Sequence, residues 1–125
     1  MRLLLDTHIF CWWFYEPPRL SIETRATMRG AEAVFVSSAS IWEVAIKARL
    51  GKMKADPREL FEQIAANGFQ ELPVRSEHAL LADNLPMHPT DSFDRLLIAQ
   101  AMSEPLHLLT ADGRLKAYSE LVIVV

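Results

Sequence analysis

The sequence is short of several features that define common classes of protein. Its single cysteine, Cys11, cannot form an internal disulfide, which fits the reducing cytoplasm. Glycine and proline are at ordinary levels (4 and 7 of 125 residues) and half of the chain is hydrophobic, so disorder is not expected. No apolar run reaches the length of a membrane span. The apolar N-terminal stretch contains Asp6 and ends without a small-residue cleavage site, so we do not expect a signal peptide.

The sequence also lacks the motifs of several catalytic classes. It has no glycine-rich phosphate loop and no serine nucleophile elbow. With one cysteine, a structural zinc site is not expected, and the four histidines share no zinc-type spacing: His8, His78, His88 and His107.

Positive charge is scarce overall but locally concentrated. The formal net charge of −3 argues against a broad basic face for nucleic acid. Five basic residues nevertheless fall within a short stretch: Lys47, Arg49, Lys52, Lys54 and Arg58. This stretch is either a solvated helix end and loop or a local patch for phosphate contacts.

Short apolar runs alternate with helical patterns along the chain. Strands are predicted at 2–5, 33–36, 69–74, 106–109 and 121–125, with Pro73 favouring an edge position for the third. Helices are predicted at 8–15, from a Ser21 cap to 28, from a Ser38 or Ser40 cap to 50, from Asp56-Pro57 to 68, from a Ser76 cap to 84, and at 91–103, with a helical turn at 113–118. We therefore expect one α/β domain over 1–125, a three-layer open sandwich with a central, mostly parallel sheet.

Four acidic residues occupy the starts or ends of these predicted core elements. Asp6 follows Leu3-Leu4-Leu5, Asp112 follows the strand ending near Leu109, and Glu43 and Asp94 lie early in mostly apolar helices. Ligands of open α/β sheets bind beyond the carboxyl ends of the strands, where these four acids can meet. Buried carboxylates need compensation, and oxygen ligands suit Mg²⁺ or Mn²⁺.

Each acid also has a purely structural interpretation. Asp6 can cap the next helix, and Asp112 before Gly113 can be a turn residue. Glu43 can form an exposed ion pair with Lys47 at i+4. Asp91 and Asp94 share a helix face, and capping is the main role expected for Asp91.

The motifs around these acids resemble those of a known family. The stretches LLLDTH, SASIWEVAIKARLGK, HPTDSFDRLLIAQA and LLTADGRL are similar to those of the PIN-domain ribonucleases, and above all to the VapC toxins of bacterial type II toxin–antitoxin pairs. The resemblance extends from Met1 to Val125, with Ser92 where many relatives have proline.

The resemblance implies a metal-dependent endoribonuclease toxin acting on RNA, with tRNA or rRNA as expected targets. Asp6, Glu43, Asp94 and Asp112 would hold one or two Mg²⁺ or Mn²⁺ ions, and Glu43 is either a ligand or the general base. Thr7, Asp91 and Thr110 would support them, and RNA contacts are assigned to Lys47, Arg49, Lys52 and Lys54. Crowded carboxylates should raise at least one pKa.

The same resemblance implies partners. A small cognate antitoxin would cover the toxin, and a homodimer is expected. The aromatic stretch Trp12-Trp13-Phe14-Tyr15 belongs either to such a contact or to the core.

Of three competing interpretations, two fit the sequence poorly and one remains open. A phosphatase of the haloacid dehalogenase type requires a second aspartate two residues after the first, where this chain has His8. A PIN-like module that only binds RNA or protein would have no reason to keep four costly carboxylates. Cleavage of DNA also stays open, because nothing in the sequence reads a 2′-hydroxyl.

Overall fold

A computed structural model describes residues 1–87 and 90–125. His88 and Pro89, which begin the HPTDSFDRLLIAQA motif, lie outside the described residues. Over the described residues the strands are β1 (Arg2–Leu5), β2 (Ala33–Ser37), β3 (Gln70–Leu72), β4 (His107–Thr110) and β5 (Val122–Val124). The helices are α1 (Thr7–Tyr15), α2 (Ile22–Gly30), α3 (Ser38–Arg49), α4 (Pro57–Ala66), α5 (Ser76–Asn84) and α6 (Ser92–Ser103), with 3₁₀ turns at Pro17–Arg19 and Gly113–Ala117.

The strands form one sheet in the order β3-β2-β1-β4-β5, and every pairing is parallel. The predicted α/β fold with a mostly parallel sheet is therefore confirmed, and β3 takes the edge position that Pro73 favoured. The chain leaves β1 toward β2 on one side and later returns to place β4 on the other. The strand order thus reverses between β1 and β4, and ligands of open α/β sheets bind at such a point.

Alternate side chains of the sheet face two separate cores. Leu3 and Leu5 pack with Phe10 and with residues of α2 and α4 on one face. Leu4 packs with Leu97 and other residues of α5 and α6 on the opposite face. Because side chains alternate along a strand, the three leucines of β1 tie both helical layers to the sheet. The result is the expected three-layer sandwich.

Helix ends follow the capping chemistry of the sequence, with two corrections. Ser21, Asp56 and Asp91 cap α2, α4 and α6 through their side chains. The predicted caps Ser38 or Ser40 of α3 are wrong, because the Ser37 side chain accepts from Ala39 N at 3.0 Å. The predicted Ser76 cap is also wrong.

Arg75 takes the N-cap position of α5. It has an extended backbone, and its N–H donates to His78 Nδ1 at 3.0 Å. Among the described residues, no helix is long and apolar enough to cross a membrane.

Candidate active site

A cleft of about 490 Å³ lies beyond the carboxyl ends of β1 and β4, where the strand order reverses. The structure brings the four acids singled out in the sequence to this cleft: Asp6, Glu43, Asp94 and Asp112. They come from the end of β1, from α3, from α6 and from the turn after β4. The rest of its lining is His8, Trp12, Lys47, Asp91, Ala111, Gly113 and Arg114.

Asp6 lies at the floor of the cleft and is almost fully buried. It is the N-cap of α1, and its Oδ1 accepts from Thr7 N at 2.7 Å. Its Oδ2 accepts from the Thr110 hydroxyl at 2.6 Å. Burial raises the pKa of Asp6, and the hydrogen bonds from Thr110 and Thr7 only partly offset that effect. Asp6 thus caps α1 and lines the cleft at the same time.

Glu43 is held by two partners on opposite sides of its carboxylate. It is 3% exposed, and its Oε1 accepts from the Thr7 hydroxyl at 2.7 Å. Its Oε2 accepts from Lys47 Nζ at 2.5 Å. The i,i+4 ion pair between Glu43 and Lys47 therefore does form, but it lies in the wall of the cleft and not on an exposed helix face.

Lys47 places an ammonium group among the acids. Its Nζ also lies 4.0 Å from Asp91 Oδ2. Burial lowers the pKa of Lys47, but the hydrogen bond and charge of Glu43, together with the charges of Asp91 and Asp94, raise it overall. Lys47 therefore stays protonated and acts as an internal counter-charge.

Asp94 is the least compensated of the four acids. Asp91 caps α6 by accepting from Asp94 N at 2.8 Å, but within the described ranges no group hydrogen-bonds the Asp94 carboxylate. Burial and the charges of Asp91, Asp6, Glu43 and Asp112 raise the pKa of Asp94 to about 7. A proton or another cation is therefore needed to neutralise this carboxyl group at neutral pH.

Asp112 is engaged by Arg114, its neighbour in the following turn. Arg114 Nη2 lies 2.7 Å from Asp112 Oδ2, and Arg114 N donates to Oδ1 at 3.0 Å. The side-chain hydrogen bond from Arg114 holds the pKa of Asp112 below its ordinary value. The turn role expected for Asp112 is thus present, with its carboxylate still facing the cleft.

The donor chemistry of the cleft fits a divalent cation that prefers oxygen. Each carboxylate has about four lone-pair positions, so the acids keep capacity beyond their present hydrogen bonds. Within residues 1–87 and 90–125, however, no three Asp, Glu, His or Cys side chains converge closely enough to hold a metal as they stand. Lys47 and Arg114 occupy oxygens of Glu43 and Asp112 instead.

The residues assigned to RNA contacts divide into separate places. Lys47 lies in the acidic cleft. Lys52 and Lys54 lie in a groove beside it, which is also lined by His8 and Trp12. Arg49 lies in neither place. It lines a different groove, together with Trp42, Ala45, Ile46, Ala48 and Pro57.

Sequence reasoning missed several neighbours of the acids. Ser40 Oγ lies 2.9 Å from the Thr7 hydroxyl, and the Asp112–Arg114 pair was not anticipated. His8, for which the sequence predicts no site role, lines the cleft. Its position could have indicated this, because His8 follows Asp6 by two residues and lies in the first turn of the helix that leaves the end of β1.

The chain is similar to a known family and to a known ribonuclease. The model of the PIN domain family matches residues 3–121. Ribonuclease VapC22 of Mycobacterium tuberculosis is 31% identical over 118 residues, which cover 93% of this chain and 91% of that protein.

Among solved structures, two toxin–antitoxin proteins share the fold. VapBC2 from Rickettsia felis, bound to a DNA fragment from its promoter, matches with a TM-score of 0.71 at 15% identity over 100% of this chain and 98% of that one. A toxin–antitoxin complex from Klebsiella pneumoniae matches with a TM-score of 0.69 at 18% identity, over 98% of this chain and 96% of that one.

Proposed function

This chain belongs to the PIN-domain family, and on that premise we propose that it is a metal-dependent endoribonuclease toxin of the VapC type. One observation carries the proposal: acids from four separate segments line one cleft at the strand-order reversal. The similarity to a curated ribonuclease over most of both chains supports RNA as the substrate class. We also propose that residues 1–125 form one PIN-like domain and that this domain acts in the cytoplasm.

Asp6, Glu43, Asp94 and Asp112 are the residues that would hold the cation, Mg²⁺ or Mn²⁺. A divalent cation at this place would polarise the scissile phosphate and lower the pKa of an attacking water. Thr110 and Thr7 hold the carboxylates of Asp6 and Glu43 in fixed orientations through their hydroxyl groups. Asp91 fixes the start of α6 and so the position of Asp94.

Glu43 keeps two candidate roles, cation ligand and general base. Its carboxylate faces the cleft, where it could accept a proton from water or contribute an oxygen to a cation. Both roles require an oxygen of Glu43 that Thr7 or Lys47 now occupies to be freed or shared.

We further propose a small antitoxin as partner and a homodimer as the assembled form. The relatives of known structure include toxin–antitoxin complexes. On this chain, α3 and α4 expose large apolar side chains beside two grooves, including Trp42 (65% exposed) and Phe61 (55%). Exposed apolar groups of this size commonly mark protein contacts.

Cleavage of RNA with controlled metal tests the proposal. The purified chain, incubated with mixed tRNA and rRNA, is expected to give discrete fragments with Mg²⁺ or Mn²⁺, none with EDTA, and fragments again when metal is restored. Asp6→Asn, purified in parallel, should give no fragments, because it removes a charge from the cation site while an amide at the N-cap can still accept from Thr7 N.

Each other outcome has a definite meaning. Equal fragments from both proteins would indicate a contaminating nuclease. Cleavage of a DNA oligonucleotide at the same rate as its RNA counterpart would replace RNA by DNA in the proposal. RNA binding without cleavage under any metal condition would favour the non-catalytic PIN-like module.

A further inference from the structure

A second groove of about 310 Å³ adjoins the acidic cleft. The two share His8 and Trp12, on successive turns of the same face of α1. The remaining lining of the groove is Cys11, Tyr15, Glu16, Arg19, Lys52, Met53, Lys54 and Ala55. Its wall is thus continuous with that of the cleft.

Charges of the cleft reach the floor of this groove. Burial, together with the negative charges of Glu43 and Asp6, raises the pKa of the Cys11 thiol to about 12, whereas the charge of Lys47 acts in the opposite direction. A ligand that crosses from one cavity to the other would pass from the acids to Lys52 and Lys54 over the shared side chains of His8 and Trp12.

The groove has the opposite electrostatic character to the cleft. It contributes three cationic side chains, Arg19, Lys52 and Lys54, against the single acid Glu16. Both lysines are exposed and, within the described part of the chain, neither side-chain ammonium group has a hydrogen bond or ion pair. Cations with no partner, beside a cleft that acts on phosphodiesters, are available for phosphate contacts.

Trp12 provides a flat surface in this groove. The guanidinium carbon of Arg19 lies 4.4 Å from the ring centroid of Trp12, and Arg19 also pairs with Glu16 at 3.2 Å. The guanidinium therefore already covers this face of the indole, and a base that stacks there takes the place of the Arg19 side chain. Aromatic faces flanked by cations are the usual means of holding single-stranded nucleic acid.

Resting on the proposed ribonuclease function, we propose that this groove holds the unpaired nucleotide next to the scissile bond. Its base stacks on Trp12, and its phosphate contacts Lys52 and Lys54. The groove therefore takes an unpaired nucleotide, because a base held in a duplex cannot present its face to the indole. Trp12 and the two lysines are positioning residues that act on substrate binding, while the acids of the cleft act on the bond.

Binding of a short, labelled polyuridine in EDTA isolates the groove from catalysis. Trp12→Leu should weaken binding roughly 5- to 150-fold, the range for losing one base–aromatic stack. Trp12→Phe keeps a flat ring and should stay within a few-fold of the wild type. Trp13→Leu removes the neighbouring tryptophan of α1, which lines neither cavity, and should leave binding unchanged.

The lysines should be visible in the salt dependence of the same binding. The double variant Lys52→Ala, Lys54→Ala should make the slope of log K against log salt shallower by about 1.4, or about 0.7 for each lost phosphate contact on a single strand. Polyuridine paired with polyadenosine should bind the wild type more weakly than free polyuridine does. This duplex should bind Trp12→Leu and the wild type equally well.

In cleavage assays with Mg²⁺, Trp12→Leu should raise KM and leave kcat near the wild-type value, because stacking holds the substrate without touching the reacting atoms.

The groove proposal alone fails if the wild type cleaves and binds polyuridine but Trp12→Leu and the double lysine variant match it. Absence of both binding and cleavage by the wild type would instead overturn the proposed ribonuclease function.

Discussion

Replacing Asp94 by asparagine is expected to lower RNA cleavage by about two to three orders of magnitude, the loss typical of removing one charge-stabilising group from an active site. The Asp94 carboxylate faces the cleft and, among the described residues, has no hydrogen-bond partner to lose. The variant therefore removes a charge without breaking a contact. Its reduced rate should persist at saturating RNA, since the substrate is bound by other groups.

The matched control for this variant is Asp83→Asn, on the exposed surface of α5. It makes the same chemical change away from the cleft and should cleave at the wild-type rate. A rate for Asp94→Asn within a few-fold of the wild type would remove Asp94 from the site.

The same variant should be more stable than the wild type when metal is absent. A carboxyl group whose pKa is raised in the folded protein contributes stability that is present below its ordinary pKa of 3.8 and lost as the pH rises through about 7. The melting temperature of Asp94→Asn in EDTA should thus exceed that of the wild type by an amount that grows between those two pH values. Asp6, with a pKa raised in the same direction, is common to both proteins and does not account for the difference.

Replacing Lys47 by methionine is expected to destabilise the metal-free chain by about 2–3 kcal/mol. Loss of one partner from a fully buried ion pair costs about 3–5 kcal/mol, and a smaller cost of about 2–3 kcal/mol is expected here because Lys47 is 28% exposed. The change leaves the carboxylate of Glu43, which is 3% exposed, with Thr7 as its remaining partner. The destabilisation should be measured by chemical unfolding in EDTA.

Saturating Mg²⁺ or Mn²⁺ should reduce this deficit, because a cation that binds only the folded state stabilises it and supplies the missing positive charge. Arg49→Met is the control: it also removes one positive charge from α3, but from a different groove. A deficit for Lys47→Met that is the same with and without metal would show that Lys47 and the cation do not compensate the same charge.

The fold was largely predictable because its strands are short apolar runs bounded by clear helix signals. Leu3-Leu4-Leu5 predicts a strand buried on both faces, and all three side chains are fully buried. The placement of Asp6 and Asp112 beyond strand ends followed from that assignment together with the general rule for open sheets.

The two missed helix caps show where local chemistry is ambiguous. Ser37, Ser38 and Ser40 carry the same capping signal, and the choice depends on where β2 stops pairing with β3, at Ser37 opposite Leu72. The α5 cap depends on His78, whose Nε2 lies 2.9 Å from Glu104 Oε2, 26 residues away in the sequence. A local pattern does not contain such a contact.

The internal ion pairs of the cleft were equally hard to foresee. The i,i+4 spacing of Glu43 and Lys47 predicts that they pair, but not that the pair lies in a cleft beside four other acids. Arg114 is fixed on Asp112 by the turn that follows β4. These cations explain how four carboxylates are accommodated in one cleft, and they are the groups with which a bound metal must compete.

Binding of Mn²⁺, followed through the loss of the free-ion signal in electron paramagnetic resonance, tests the central claim most directly. The wild type should bind Mn²⁺ saturably, Mg²⁺ should compete for the same site, and Asp94→Asn should bind at least about tenfold more weakly. Asp83→Asn should match the wild type. If the wild type takes up no Mn²⁺ at millimolar concentration, or if Asp94→Asn binds it equally well, the acidic cleft is not a metal site and the proposed mechanism is wrong.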